Sequence, residues 1–348
     1  MTLNTSISER EENSRMISES AAAALADGVA RARGLRFSSP GFDRAQWSEF
    51  AELGWLSLRL PEDRGGLGMG VSEYCALAQQ LGRALVPEPL IGAIGALGML
   101  PDAVLTEVVE GRRIVLPALS CSADSPTELR AGKLYGTAVH VPMAAGADAF
   151  LVRLDAGDYA LIDASTDGLT MDCANTHDGG HLGTLHFDGA AAEQVSNDNP
   201  DTWEDATLAT AAYLQGVAEA SYELTLDFLK TRQQFGKPIG SYQALQHRMV
   251  DLYLELSLLR VSIAGATAAI DDGATGAARR AEVSRARARA SRAADVICRQ
   301  AVQLHGGIGY TDEADIGLFL RKNMTLQASF GGQSMHRRRF YNEKGVGQ

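Results

Sequence analysis

The chain has 348 residues, 45% of them hydrophobic and 22% charged, with a net charge of −11 at pH 7. That length is more than one core usually serves, so two or three globular domains are expected. The negative balance excludes general nucleic-acid binding, and an anionic ligand would need a local basic patch.

In chain order, the polar, acidic start TSISEREENS has no apolar segment and no basic lead. It predicts a cytoplasmic rather than a secreted protein, with the first dozen residues frayed. The four cysteines, Cys75, Cys121, Cys173 and Cys298, form no CxxC and no metal-type cluster. They read as free, buried thiols of a reducing compartment, and no metal is expected.

Residues 1–112 read as a helical domain. Residues 17–30 are Ala-rich and helical, and 42–53 form a short amphipathic helix ending at Gly54 as a C-cap. In WLSLRLPEDRGGLGMG, Trp55, Leu56, Leu58 and Leu60 are apolar and Pro61 stops the segment. Gly65, Gly66, Gly68 and Gly70 then make a loop without GxGxxG or P-loop spacing, hence structural, with Leu67 as its anchor. Ser72 caps a helix through Arg83, and a helix pair fills 90–110. The apolar run 90–100 is interrupted by glycines and too short to span a bilayer, so no membrane partner is expected.

From 113 to 200 the period shortens to strand length: 114–119, 134–141, 150–154, 159–162 and 184–187. These segments predict a small antiparallel β-domain. Residues 201–348 return to helix, with long apolar-periodic runs at 206–230, 244–269 and 277–304. The fold class is therefore multi-domain α+β: helical domain, small antiparallel β-domain, C-terminal four-helix bundle.

Between the first two long runs lies RQQFGKPIGSYQALQ, residues 232–246, broken by Gly236, Pro238 and Gly240. It sets a guanidinium, Arg232, near a flat ring, Phe235. A diphosphate beside a purine needs that pair, one for the phosphate oxygens and one to stack on the base. The other account is a solvated helix-end cation and an ordinary core ring. On the third run, Arg285, Arg289, Arg292 and Arg299 share one face, either a solvated face paired with acids or a rim for a coenzyme A phosphate. Gln303-Leu304-His305-Gly306-Gly307-Ile308-Gly309-Tyr310 ends that helix with glycines that permit close backbone approach. His305 reads as a helix-end hydrogen-bond donor. A further helix is expected over 315–328.

Arg232-x-x-Phe235-Gly236-Lys237-Pro238 with Gln243-Ala244, and Gln303-x-x-Gly306-Gly307-x-Gly309-Tyr310, resemble the signatures of the acyl-CoA dehydrogenases. LGWLSLRLPEDRGGLG and LGRALVPEP look like segments of the same family. The resemblance implies FAD-dependent α,β-dehydrogenation of an acyl-CoA thioester. It also implies that Arg232, Phe235 and Gln243, with Gln303, Gly306 and Gly307, contact the pyrophosphate and adenosine half of a neighbouring subunit's FAD.

Three departures accompany it. Where most members carry the catalytic Glu, this chain has Phe330, or Gly331 after a one-residue shift, and neither takes up a proton. At the alternative base position of members such as isovaleryl-CoA dehydrogenase stands Ala206, preceded by Glu204 and Asp205. Asp205 is the weak candidate for a base, the alternative being a helix-start acid. The flavin-side segments are replaced by residues 118–124 and by Val139-His140-Val141-Pro142-Met143. Together these resemble the short companion subunits of heteromeric bacterial dehydrogenases for steroid side-chain CoA thioesters. That implies a heterotetramer in which this chain completes the FAD site. A self-sufficient homotetramer using Asp205 or Glu204, and a non-redox scaffold, are the alternatives.

Overall fold

A computed structural model describes residues 7–196 and 201–344. Helices α1 (Ile7–Ala24), α2 (Gly28–Leu35), α3 (Arg44–Glu52), α4 (Val71–Arg83), α5 (Leu90–Ala96) and α6 (Asp102–Val109) come first. Strands β1 (Val115–Ala118), β2 (Ser120–Cys121), β3 (Glu128–Arg130), β4 (Lys133–Pro142), β5 (Ala149–Arg153), β6 (Tyr159–Asp163), β7 (Leu169–Asn175), β8 (His181–Ala191) and β9 (Glu193–Val195) follow. Then come α7 (Thr202–Thr231), β10 (Gln233–Gln234), β11 (Lys237–Pro238), α8 (Gln243–Asp271), α9 (Gly276–His305), α10 (Ile316–Leu326) and α11 (Gln333–Glu343).

By contact density the chain divides into two interleaved units. One comprises Met1–Arg33, Gly70–Val86 and Thr207–Gln348; the other Gly34–Met69 and Pro87–Ala206.

In the first unit, α7, α8 and α9 run for 30, 29 and 30 residues. α8 turns Met249, Leu252, Leu256, Leu259, Ile263, Ala266 and Ile270 inward at three- and four-residue spacing. It is also, among the described residues, the one helix long and apolar enough to cross a membrane by length and composition. α4 and α7 meet almost backbone to backbone. A Cβ on Gly82 would fall 2.0 Å from the Tyr213 carbonyl oxygen, and one on Gly216 1.9 Å from that of Gln79. The crossing is locked by Glu219, whose carboxylate is 3% exposed. It accepts from Arg260 Nε at 2.7 Å, from Gln79 Nε2 at 2.5 Å and from Gln215 Nε2 at 3.1 Å, with Arg83 at 3.4 Å.

The expected Ser72 cap is replaced. α4 starts after Gly70, and the Asp271 carboxylate accepts from the backbone N–H of Val71 at 2.9 Å and of Ser72 at 3.1 Å. A carboxylate 200 residues away serves as well as a local hydroxyl, because only the position of the acceptor matters. The N-terminal segment is also more regular than expected, with α1 already formed at Ile7.

In the second unit, one sheet has the order β1-β5-β6-β9 and the other β2-β4-β8-β7, with β3 on β4. Pairing is antiparallel except for β1 with β5, which is parallel. The first sheet covers a core of Leu60, Leu97, Leu105, Val115, Leu151, Tyr159 and Val195. Leu67 does not anchor the glycine loop, being 46% exposed. The loop is instead tied by backbone bonds such as Gly68 N–H to Leu60 O at 2.9 Å. The cysteines are free, but only Cys75 and Cys298 are buried; Cys121 is half-buried and Cys173 exposed. Burial pushes the Cys298 thiol up to about 12, which makes it inert.

Candidate functional site

The break between α7 and α8 is a two-residue β-hairpin. Gln233 pairs with Pro238 and Gln234 with Lys237, leaving Phe235 and Gly236 as the turn. Both turn residues are left-handed, at φ +54° and +81°. That is the turn whose twist suits a hairpin, but its first position favours Asn, Asp or Gly, and a Phe there is strained. The Phe235 ring is 91% exposed. The base of the arm is pinned at Arg232, whose N–H donates to Phe228 O and whose carbonyl accepts from Ile239 N–H, both at 2.8 Å. Phe235 is thus an exposed ring on a firm stem, and not a core residue. Phe235→Asn is expected to raise the stability of the free chain by about 1 kcal/mol, read as a higher urea midpoint at unchanged slope.

The glycine motif closes α9. Gly306 adopts φ +64° and ψ −141°, and neither it nor Gly307 has any atom within 4 Å of where a Cβ would stand. Gln303, Gly306 and Gly307 are exposed. His305 sits one residue before the glycines, with Nδ1 2.8 Å from Ala301 O; burial lowers its pKa. Its ring stacks on Phe228 at 4.4 Å and 22°. Phe228 lies one helical turn before Arg232, so this stack sets the two motifs side by side. Below them a cleft of about 240 Å³ is lined by Leu224, Phe228, Ile308 and Ile316 among others. Gln243 is exposed at the first position of α8.

The residues present fit the adenosine half of a dinucleotide. The Arg232 guanidinium and the Phe235 ring are exposed on the arm, and the backbone of Gly306 and Gly307 is open where a Cβ would narrow the approach. Along α9, Arg285 pairs with Glu282 at 2.5 Å, Arg289 with Glu255 at 2.8 Å and Arg299 with Asp295 at 2.8 Å. These three belong to a face paired within the chain.

The base positions are otherwise engaged. Asp205 is 8% exposed and its carboxylate accepts from Arg59 at 2.7 Å. Ala206 is fully buried, 3.5 Å from where a Cβ on Gly95 would stand. The Gly95 site is also closed by Trp203, whose Nε1 donates to Tyr159 Oη at 2.6 Å. Phe330 and Gly331 form a left-handed pair, φ +52° and +99°.

Sequence reasoning missed what holds that pair. Arg287 is fully buried, and its guanidinium donates to the carbonyls of Leu326, Gln327 and Ser329 at 2.8, 3.3 and 3.0 Å. Burial lowers it to about 10. Fully buried His336 places Nε2 2.9 Å from Phe330 O. In the segment 139–143, His140 and Met143 are left-handed at φ +60° and +54°, with a register shift between Ala138 and Val141.

Comparison with known proteins agrees with this layout. The N-terminal domain model of acyl-CoA dehydrogenases matches residues 11–104 and the C-terminal domain model residues 204–343. "Acyl-CoA dehydrogenase IpdE2" of Mycobacterium tuberculosis is 32% identical over 89% of this chain and 91% of its own length. Its namesake in Mycolicibacterium smegmatis is 33% identical over 82% and 83%. Among solved structures, a "Tcur3481-Tcur3483 steroid ACAD" variant superposes with TM-score 0.87 at 28% identity, over 97% of this chain and 99% of that one. The ChsE4-ChsE5 complex from Mycobacterium tuberculosis superposes with TM-score 0.86 at 24% identity over 99% and 100%, a likeness of fold. With both family models matched in order, and a relative aligned over nearly the whole length, the chain belongs to the acyl-CoA dehydrogenase family.

Proposed function

We propose that this chain is the companion subunit of a heterotetrameric acyl-CoA dehydrogenase, contributing the adenosine-side contacts for an FAD held across the interface by a homologous chain. The observation that carries the reading is the Phe228–His305 stack, which sets the Arg232–Phe235 arm beside Gly306 and Gly307 with both exposed. Arg232 donates to pyrophosphate oxygens, Phe235 offers a stacking face, and Gly306 and Gly307 let the ligand approach the backbone. Gln243 and Gln303 complete the polar lining. FAD, when bound, accepts the β-hydride of the acyl thioester.

The α-proton goes to a carboxylate that this chain does not supply. Phe330 and Gly331 have none, and Asp205 is held by Arg59. The steroid dehydrogenase among its structural neighbours suggests a steroid side-chain CoA thioester as substrate. The functional divisions follow 1–112, 113–200 and 201–348, and the complex works in the cytoplasm.

Arg232→Ala, in the complex purified with the homologous chain, is expected to weaken FAD binding by about 30-fold or more, the loss of one charge-assisted bidentate contact. Flavin fluorescence titration reads the effect, and unchanged affinity would defeat the reading. If the chain alone binds FAD and oxidises acyl-CoA at full rate, the homotetramer stands instead, and Asp205→Asn and Glu204→Gln then test its base. Flavin in neither preparation leaves the scaffold.

A further inference from the structure

The cleft under the two motifs has apolar walls and two polar residues, and both of these accept hydrogen bonds. Leu224 and Phe228 line it from α7, Ile308 from the glycine turn and Ile316 from α10. His305 and Asp315 are its polar lining. Its volume of about 240 Å³ is below the ~300–1,000 Å³ of pockets that enclose a whole ligand, and suits one flat ring system. His305 Nδ1 lies 2.8 Å from Ala301 O, and a carbonyl only accepts, so that nitrogen carries the proton. Nε2 is then bare, an acceptor. Burial lowers the pKa of the ring and keeps it uncharged at neutral pH. Asp315 is held by Arg33, whose Nε and one Nη both donate to Oδ1, at 3.0 and 2.6 Å. Oδ2, the other carboxylate oxygen, is an acceptor as well. The stack of Phe228 on the imidazole, at 4.4 Å and 22°, fixes the plane in which Nε2 lies.

We propose that the cleft receives the adenine ring of the dinucleotide, and that His305 is the residue that selects adenine, by accepting from its exocyclic amino group. The proposal rests on the dinucleotide reading above and specifies how the half-site chooses its base. A lining of apolar walls and acceptors turns away phosphates and carbonyls and takes a flat ring that carries an N–H donor. Phe228 lines the cleft and stands one helical turn before Arg232, so a phosphate on the arm keeps its base beside the cleft. Hypoxanthine has a carbonyl oxygen in place of the amino group. Set against His305 Nε2 and the Asp315 carboxylate, it would bring acceptor to acceptor and leave both sides unpaired.

The complex with the homologous chain is stripped of flavin, and FAD rebinding is followed by flavin fluorescence with adenosine diphosphate, inosine diphosphate or coenzyme A as competitor. The adenosine nucleotide should displace FAD about tenfold better than the inosine nucleotide, the cost of one unmade hydrogen bond in a partly open cleft. His305→Phe keeps a ring on Phe228 but offers no acceptor, and should make the two nucleotides nearly equal. The ratio is read on molecules that bind, so a loss of folding does not imitate it, and the wild-type ratio needs no variant. Equal displacement by the two nucleotides on the wild type, none by adenosine diphosphate, or a His305→Phe complex as selective as the wild type would each overturn the proposal. Stronger displacement by coenzyme A than by adenosine diphosphate would give the cleft to the acyl carrier and overturn it too. The arm is read apart from the cleft: Arg232→Ala weakens FAD itself whichever base is bound, so selectivity can fail while the dinucleotide reading stands. FAD binding indifferent to Arg232→Ala removes both.

Discussion

Glu219→Ala is expected to destabilise the chain by about 2–3 kcal/mol, the cost of removing a buried carboxylate from donors that are themselves partly exposed. The carboxylate is 3% exposed and receives bonds from three helices, α4, α7 and α8. Without it, the Arg83 and Arg260 cations, 32% and 43% exposed, lose their shared partner, although Arg83 keeps Glu223 at 2.5 Å. The Gln79 and Gln215 amides lose an acceptor, and Gln215 is buried. Urea unfolding followed by far-UV circular dichroism gives the number. A loss below about 1 kcal/mol would mean that the site admits water and the network is worth no more than a surface pair.

Stability should fall on the acid side, through His336. Its folded pKa is lowered from 6.5 to about 4, chiefly by burial, with the Arg287 and Arg339 cations acting in the same direction. A lowered value means that the unfolded chain takes up the proton first. The stabilisation is therefore complete above pH 6.5 and is lost as pH falls from there through 4, up to about 3 kcal/mol in all. His181 and His305, both lowered by burial, add to the same limb. Denaturation series at pH 7 and pH 4.5 on the wild type and on His336→Gln measure the share of this one ring. The variant should start lower, having lost the bond to Phe330 O, and fall less steeply; equal slopes would remove His336 from the account.

The long helices, the break between the first two of them and the glycine motif were legible because each has a local cause: period, turn residues, missing side chains. What escaped depends on distant partners. Nothing near Ser72 announces that Asp271 caps its helix, and nothing near Asp205 announces Arg59. Arg287 was hidden because it stands among the arginines of α9 with nothing local to set it apart from the row Arg285, Arg289, Arg292 and Arg299. The buried one satisfies its donors on carbonyls at the end of α10 instead. β7 went unseen for another reason: TMDCAN has no alternation, since both of its faces are exposed. Short β2, β3 and β9 carry too few residues for a period. The exposed Phe235 was readable as a motif residue, whereas its left-handed backbone was not.

The two absent side chains at Gly82 and Gly216 govern more than the gap between α4 and α7. Gln79 and Arg83 reach Glu219 only because the helices nearly touch, so distance and charge are coupled at that crossing. A single methyl at 216 would push the donors out of range, and the damage would register as an electrostatic defect although no ionic group had changed. Variation among relatives at these positions should therefore travel together with the identity of the residue at 219, as one inherited unit.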